Sequence, residues 1–163
     1  ADGSRVAVAD LRAGARVQCR EGRAATVRCV VRTDLDPAEP TPMVRLPCGA
    51  ALTPYHPVRD ASADGRWAFP CDLAPARPEP LDAVFNLVLD GEHEVDVDGT
   101  WCVTLGHGLR GPVVEHDYFG TERVVTDLAA QPGWAAGEVR LARDAFERDP
   151  ITNSICGLQT SLD

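Results

Sequence analysis

The sequence lacks several features that would assign the protein to a class directly. It has no apolar run of the roughly 20 residues that a membrane-spanning helix needs. Its first residues also lack the basic start and apolar core of a signal peptide. Lys and Arg total 16 against 25 Asp and Glu, which gives a formal net charge of −9. Because nucleic-acid-binding surfaces concentrate Lys and Arg, we do not expect nucleic acid as a partner. Because no apolar run is long enough to span a bilayer, we do not expect a membrane as a partner either.

The six cysteines include no Cys-x-x-Cys pair, the spacing typical of many zinc and redox sites. In the predicted strands, Cys29 shares one face with Val27 and Val31, and Cys19 shares one face with Val17, as small buried hydrophobic residues do. We therefore expect reduced structural thiols, with disulfides and a cysteine-rich metal site as the two alternatives. A chain of 163 residues can bury a core without either kind of cross-link.

Most of the chain consists of short runs that are rich in β-branched residues or alternate between apolar and polar residues, both typical of strands. The runs are RVAVADL (5–11), ARVQC (15–19), AATVRCVVRT (24–33), MVRLPCGAALT (43–53), AVFNLVLD (83–90), HEVDV (93–97) and TWCVTL (100–105). Asp98–Gly99 separates the last two runs, where a tight hairpin turn fits. Proline clusters predict loops at 37–42 and 75–80.

One segment has the pattern of a helix. Thr121 is the candidate N-cap, Pro132 and Gly133 would end the helix, and an apolar stripe lies between them, formed by Val124, Val125 and Leu128. The later run GEVRLARDAF (137–146) fits either a strand or a short helix. Together the patterns predict an all-β body over residues 1–109 and a small C-terminal α/β extension over residues 110–163 packed on it.

The stretch LTPYHPVR (52–59) holds a histidine between two prolines. Pro54 and Pro57 fix their own φ near −65° and favour extended backbone in the residue before each. Thr53 and His56 are therefore held in a defined relation to each other. From these residues alone, the plainer interpretation is a surface turn whose histidine bonds a backbone carbonyl, and a catalytic histidine is the alternative.

Longer stretches place this turn in a wider pattern. ADGSRVAVADLRAGARV (1–17), LTPYHPV (52–58) and AVFNLVLDGEHEVDVDG (83–99) together resemble the Hint superfamily, the autoprocessing fold of inteins and hedgehog C-terminal domains. Thr53 and His56 match its T-x-x-H motif, whereas Ala15 stands where the family's opening L-x-x-G-D-x-V motif has an aspartate. FPCDL (69–73), WCVTLGHG (101–108) and VVEHDYFGTERVVTDL (113–128) look like the Vint branch. The resemblance implies a compact, horseshoe-like β fold.

The resemblance also implies a reaction. In Hint domains the side chain of a cysteine or serine attacks its own preceding carbonyl, an N-to-S or N-to-O acyl shift that leads to self-cleavage. By this resemblance, His56 protonates the departing amide nitrogen and Thr53 positions or polarises the scissile amide. The substrate is the protein's own N-terminal flanking polypeptide. A monomer is expected, and no cofactor is required.

Two departures from the family's pattern limit this expectation. The family's nucleophile lies upstream of the L-x-x-G position, here Leu11–Gly14, and none of the six cysteines has that place. The chain as it stands is therefore expected to be inactive, through truncation or through loss of the residue. After Gly99 the sequence lacks the His-Asn pair of intein C-terminal cleavage, and Asn86 replaces a family aspartate. Cleavage or ester transfer at the N-terminal boundary is thus favoured over protein splicing.

Three further histidines have competing interpretations. His93, His107 and His116 are candidate acid/base groups, or groups that orient an incoming nucleophile. The alternative for His107 and His116 is structural hydrogen bonding where the C-terminal extension docks. For His93, the acidic neighbours Asp90 and Glu92 predict a raised pKa, and a structural role is the alternative.

Two rival functions stay open beside autoprocessing. One is a zinc-stabilised domain that uses Cys102, His107 and His116 as ligands, with Cys71 as a fourth ligand if the fold brings it close. The other is a Hint scaffold that has lost its chemistry and serves as an interaction module.

Overall fold

The computed structural model describes residues 3–61 and 63–159, so Ala1 and Asp2 of the opening motif lie outside the described residues. The strands within this part are β1 (Arg16–Gln18), β2 (Ala24–Asp34), β3 (Thr41–Arg45), β4 (Ala51–Leu52), β5 (Val58–Asp60), β6 (Arg66–Ala68), β7 (Ala76–Glu79), β8 (Ala83–Leu89), β9 (Glu94–Val97), β10 (Thr100–Val103), β11 (Glu138–Leu141), β12 (Phe146–Arg148) and β13 (Ile155–Leu158). The α-helices of the described part are α1 (Pro70–Leu73) and α2 (Glu122–Ala129). None of the described helices is long and apolar enough to cross a membrane. The predicted all-β class is confirmed.

Strand β2 is the centre of the first sheet. It pairs antiparallel with β1 and β8 and parallel with β11. The pairing with β8 shifts register between Val27 and Cys29, as at a β-bulge. Val27 therefore joins one hydrophobic cluster, whereas Cys29 and Val31 join another. The expectation that all three share one face is wrong, because the extra residue at a bulge reverses the alternation. Since β11 comes from residues 110–163, this sheet crosses residue 109, and the domain boundary there stays a prediction.

The second sheet has the strand order β6-β5-β10-β9, with antiparallel neighbours throughout. Val58 at the start of β5 pairs with Ala68 at the end of β6 and with Cys102 near the end of β10. Val103, which ends β10, pairs with Glu94 at the start of β9. These four strand termini therefore lie at one end of the sheet, which we call the histidine end.

The opposite end of this sheet carries two tight turns. Asp98 and Gly99 join β9 to β10 with φ of 50° and 87°, and Asp64 and Gly65 lie between β5 and β6 with φ of 52° and 70°. Aspartate followed by glycine tolerates these left-handed conformations. The predicted hairpin turn at Asp98–Gly99 is confirmed, and we call this the turn end.

A third sheet, of order β4-β3-β7, corrects two predicted loops. Residues 75–80 include strand β7, and residues 37–42 include the start of β3. Pro42 and Pro78 stand opposite each other in the pairing of β3 with β7. Proline cannot donate to a strand ladder, so it is accepted at positions where the partner does not require a backbone N–H. The run predicted as one strand at 43–53 forms parts of two strands, β3 and β4.

The predicted strand at residues 5–11 is wrong. Val8–Asp10 form a single 3₁₀ turn, and no described strand pairs with this segment. Val6 is 56% exposed and Val8 is 41% exposed. Alternation alone does not make a strand where no neighbouring strand accepts its hydrogen bonds.

Helix α2 forms where the sequence predicted it, with Val124 and Leu128 fully buried. Thr121 has the N-cap position, but its hydroxyl donates to the Tyr118 carbonyl, 3.0 Å away, and caps no helix N–H. The helix ends at Ala129, before Pro132. The ambiguous run at 137–146 contains strand β11 and the first residue of β12.

All six cysteines are free thiols, which confirms the expectation of reduced cysteines. Cys19 and Cys29 have no exposed surface. Burial raises the pKa of the Cys29 thiol to about 11 and raises the pKa of Cys19 as well. Both side chains therefore act as small apolar groups in the core.

Candidate active site

All four histidines of the chain gather at the histidine end of the second sheet. Positive charge on His56, His93 or His116 would lower the pKa of His107, so the four rings lie within electrostatic reach of one another. They come from separate segments: the loop before β5, the residue before β9, the loop after β10 and the segment before α2. Antiparallel pairing brings the first three together, because β5 and β9 start where β10 ends.

His56 is held at both its backbone and its ring. Its backbone N–H donates to the Thr53 carbonyl at 3.2 Å, which closes a turn, and its Nε2 lies 2.9 Å from the Val103 carbonyl oxygen. A carbonyl only accepts, so Nε2 carries the proton and Nδ1 keeps a lone pair. Burial lowers the pKa of His56, against the smaller opposing effect of the Val103 hydrogen bond. The imidazole is therefore neutral at pH 7, with one nitrogen fixed and the other able to accept a proton.

The Thr53 hydroxyl lies at the start of the same turn and has no hydrogen-bond partner among the described residues. Pro54, which follows it, accepts from the backbone N–H of Cys71 at 3.2 Å. This bond ties the turn to helix α1. The T-x-x-H segment is thus braced on both sides, and its threonine hydroxyl is left free to bond another group.

His93 differs from the other histidines in its hydrogen bonding. Its Nδ1 is buried and has no partner, and its Nε2 makes no hydrogen bond within the described part of the chain. Its backbone carbonyl accepts from Thr104 N–H at 3.0 Å, which fixes the residue beside β10. Burial lowers the pKa of His93 and outweighs the opposing charges of Glu92 and Glu122. The predicted raised pKa is therefore wrong, because burial has a larger effect here than the nearby carboxylates.

A cavity of about 190 Å³ opens beside His93. We call it the polar cavity, since Leu109 is its single apolar lining residue, and the others are Arg20, Glu21, Arg23, Glu92, His93 and Glu94. Arg23 is 3.0 Å from Glu92, and Arg20 is 3.6 Å from Glu94. The cavity is smaller and more highly charged than the sites that hold drug-sized apolar ligands.

His107 and His116 both accept backbone hydrogen bonds through Nδ1. His107 accepts from Leu109 at 2.9 Å, and His116 accepts from Tyr118 and Phe119, each at 3.1 Å. Burial is the largest cause that lowers the pKa of His107 to about 4. Both rings therefore make hydrogen bonds to the backbone of their own segments, and the catalytic and structural interpretations of these two histidines both stay predictions.

The loop of residues 106–108 fits closely around His107. Gly106 and Gly108 donate to the carbonyls of Phe119 and Gly120, each at 2.8 Å. A Cβ on Gly120 would lie 3.1 Å from His107 Nε2, so a side chain there would press on the ring. This contact ties the loop after β10 to the segment before α2.

Among the described residues, no group of three or more His, Cys, Asp or Glu side chains is placed to hold a metal ion. Cys102, His107 and His116 are therefore not brought together as ligands, and Cys71 does not complete them. Burial raises the pKa of the Cys102 thiol to about 12, which opposes the thiolate that zinc requires.

Sequence reasoning missed two features of this site. The Val103 carbonyl holds His56 but is a backbone atom, which leaves no signal in the sequence. The second is an ion pair in which Arg59 bonds both oxygens of Glu94, at 3.0 and 2.7 Å, and stacks 3.9 Å from the Trp67 ring centroid. The sequence does carry a signal for this ion pair. An arginine lies two residues after Pro57, on β5, and an acidic residue lies at the start of the later hairpin.

Comparison with known proteins identifies the family of the chain. The family model named Vint and described as a Hint-domain matches residues 1–157. No curated protein matches the chain. The match covers nearly the whole sequence, including the Thr53–His56 turn, the hairpin of β9 and β10 and helix α2. The chain therefore belongs to the Vint family of Hint domains, which are domains of the autoprocessing type.

Proposed function

We propose that this domain breaks the peptide bond at its own N-terminal boundary by an acyl shift onto a Cys or Ser side chain upstream of Ala1. The observation that carries the proposal is the Thr53–His56 turn, in which the Val103 carbonyl fixes His56 while the Thr53 hydroxyl stays unpaired among the described residues. A fixed imidazole beside a free hydroxyl is suited to align one amide bond, since misplacement by about 1 Å can cost roughly 10²-fold in rate.

The protonation state of His56 determines the order of proton transfers. Because the imidazole starts neutral with its proton on Nε2, it first acts as a base through Nδ1. Nδ1 takes the proton of the nucleophile, whose sulfur or oxygen then attacks the preceding carbonyl carbon. The same proton passes from Nδ1 to the amide nitrogen as the C–N bond breaks. A thioester or ester and a free amine result, and His56 returns to its neutral form.

A nucleophile just upstream of Ala1 is within reach of the histidine end. Arg5 Nη1 lies 3.3 Å from Asp98 Oδ1, at the turn end of the second sheet. Strands β9 and β10 are each four residues long, a span of roughly 13 Å at about 3.3 Å per residue. About four extended residues before Arg5 therefore suffice to reach the neighbourhood of His56.

We further propose that His93 activates the nucleophile that resolves the ester. Each of the other three rings has one nitrogen engaged by a backbone group, whereas neither nitrogen of His93 has a partner in the described chain. The polar cavity beside it gives small polar molecules a route to this ring. A base with no fixed hydrogen bond is free to accept the proton of such a molecule.

The test is thiol-induced cleavage of a protein extended by its native upstream segment and a short N-terminal partner. Intact mass is recorded before and after addition of a thiol, which intercepts a thioester. We expect two fragments that divide at the restored nucleophile. His56→Ala should slow their appearance at least about 10²-fold, the usual range for loss of a general acid–base group.

His116→Asn is the matched control, since an asparagine oxygen can replace Nδ1 as acceptor for Tyr118 and Phe119. It should leave cleavage within about twofold of the unaltered protein, because this ring is engaged structurally. An extended protein that stays folded and keeps its intact mass over days in the presence of thiol would contradict the proposal. That outcome would favour an interaction module built on an inactive Hint scaffold.

A further inference from the structure

An exposed apolar surface lies next to the Thr53–His56 turn. Tyr55 is 73% exposed, although it is a large and mostly apolar side chain. The Tyr55 ring meets the Phe69 ring edge-on, with 5.6 Å between the centroids and 78° between the planes. We call Tyr55 and Phe69 the aromatic patch. A surface of this kind beside a reactive turn is a candidate binding site.

The backbone under the aromatic patch is restrained. Tyr55 lies between Pro54, whose ring fixes its own φ, and His56, whose backbone is restricted by Pro57. The bond from Cys71 N–H to the Pro54 carbonyl ties this backbone to helix α1, which directly follows Phe69. A tyrosine side chain has only two χ angles, so it loses little conformational entropy when a ligand covers it. The aromatic patch therefore needs little reordering when it binds a ligand.

The aromatic patch and the polar cavity lie on opposite sides of His56. Phe69 follows β6, the strand at one edge of the second sheet, whereas His93 and Glu94 of the cavity lie at the start of β9, the other edge. His56 leads into β5 and bonds β10, the two strands between. The Arg5 contact at Asp98 places the chain downstream of the proposed scissile bond beside the β9–β10 hairpin. A polypeptide that continues past His56 away from this hairpin reaches the patch.

We propose that the aromatic patch binds the flanking polypeptide just before the scissile bond and favours an apolar side chain there. The inference rests on the proposed function, because that reaction places the flanking polypeptide against His56. Adjacent Cα atoms are about 3.8 Å apart, so the Tyr55 ring is within reach of a peptide that contacts the His56 ring. An apolar side chain one or two residues before the scissile bond covers Tyr55 and is held in register with Thr53 and His56.

The experiment varies the residue that precedes the restored nucleophile and measures single-turnover cleavage by thiol. We compare Phe, Leu, Ala and Asp at this position in the unaltered domain. Phe and Leu should be cleaved about fivefold faster than Asp, the range expected for one aromatic contact on a surface. In Tyr55→Ser the four rates should converge to within about twofold, and Tyr55→Phe should keep the preference.

Ile151→Ala is the control for exposed apolar surface, since Ile151 is 91% exposed and lies in the C-terminal region. It should leave the preference unchanged. A preference that persists in Tyr55→Ser, or four equal rates in the unaltered domain, would overturn this inference alone if His56→Ala still blocks cleavage. Absence of cleavage in every protein, with His56 intact, would overturn the proposed function as well.

A second measurement detects binding without the reaction. The extended protein carrying His56→Ala and a Phe before the nucleophile is compared with the chain that begins at Ala1. Hydroxyl-radical labelling of Tyr55 should fall severalfold in the extended protein, because the flanking chain covers a ring that is otherwise 73% exposed. Equal labelling of Tyr55 in both proteins would contradict the inference.

Discussion

The two ends of the second sheet are built on different principles. At the turn end, Asp98–Gly99 and Asp64–Gly65 close two hairpins through left-handed backbone conformations. At the histidine end, side chains from distant segments meet: His56 bonds Val103, and Arg59 reaches across β10 to Glu94. The turn end is specified by pairs of adjacent residues, whereas the histidine end exists only when the whole sheet is assembled. The proposed chemistry, which needs several groups in register, thus lies at the end that local sequence does not determine.

The largest expected effect on stability comes from Glu94→Gln at the histidine end. Arg59 and Glu94 are 20% and 15% exposed at their side chains and form two hydrogen bonds. Removal of the charge leaves a mostly buried guanidinium without its counter-charge, although Arg59 still donates to the Gly65 carbonyl at 3.0 Å. This should lower the free energy of unfolding by about 3 kcal/mol. Urea unfolding of both proteins measures the loss. Glu138→Gln is the control, because its partner Arg140 is 65% exposed, and a similar loss there would contradict the comparison.

The second effect in size is a loss of folding stability in acid, which we expect from the histidine end. The pKa of His107 is about 4 in the folded protein against an ordinary value of 6.5, so the unfolded chain binds the proton first. Stability is therefore full above pH 6.5, falls as the pH drops from 6.5 to 4, and levels off below 4. Since the two pKa values differ by about 2.5 units, the contribution should be at most about 3 kcal/mol. It is measured as the difference in urea unfolding between pH 7 and pH 4.

His107→Asn isolates this contribution from the titration of other groups. The asparagine oxygen can accept the Leu109 N–H in place of Nδ1, but it does not titrate in this range. The substituted protein should lose less stability between pH 7 and pH 4 than the unaltered protein. If the free energy of unfolding depends on pH identically in the two proteins, His107 is not the group whose protonation destabilises the fold.

The smallest effect is expected at the turn end. Gly99 has φ of 87°, and no atom lies within 4 Å of a Cβ added there, so Gly99→Ala costs conformational energy alone. We expect a loss of about 1 kcal/mol in thermal or urea unfolding. Asp98→Asn is the control, because asparagine tolerates the same left-handed conformation. Thiol-induced cleavage by the extended protein should be unchanged in Gly99→Ala, and a large fall in cleavage there would contradict the distinction between the two ends.

The same contrast explains which parts of the protein could be predicted from sequence. The Asp98–Gly99 turn, strand β8 and helix α2 were predictable because their signals lie within a few adjacent residues. The Thr53–His56 turn was found for the same reason, since Pro54 and Pro57 restrict it locally. The hydrogen bond from His56 to Val103 was not predictable, because it joins residues 47 apart and ends on a backbone atom.

The wrong predictions share a cause. Residues 5–11 alternate as a strand does but have no strand beside them, and prolines at 42 and 78 stand in strands because their neighbours need no N–H there. The pKa of His93 was misjudged because its acidic neighbours are visible in the sequence, whereas its burial is not. In each case the deciding contact comes from a part of the chain far from the residue concerned.

The parallel pairing of β11 with β2 has a consequence for the time at which the domain can act. Val31 lies beside Val139, so one edge of the central strand stays open until nearly the whole chain has left the ribosome. Contacts between such distant residues form late, because a long loop must close first. We expect the flanking polypeptide to be synthesised and folded well before the domain downstream is complete. Under the proposed function, the order of synthesis would therefore delay cleavage until the flanking polypeptide is complete.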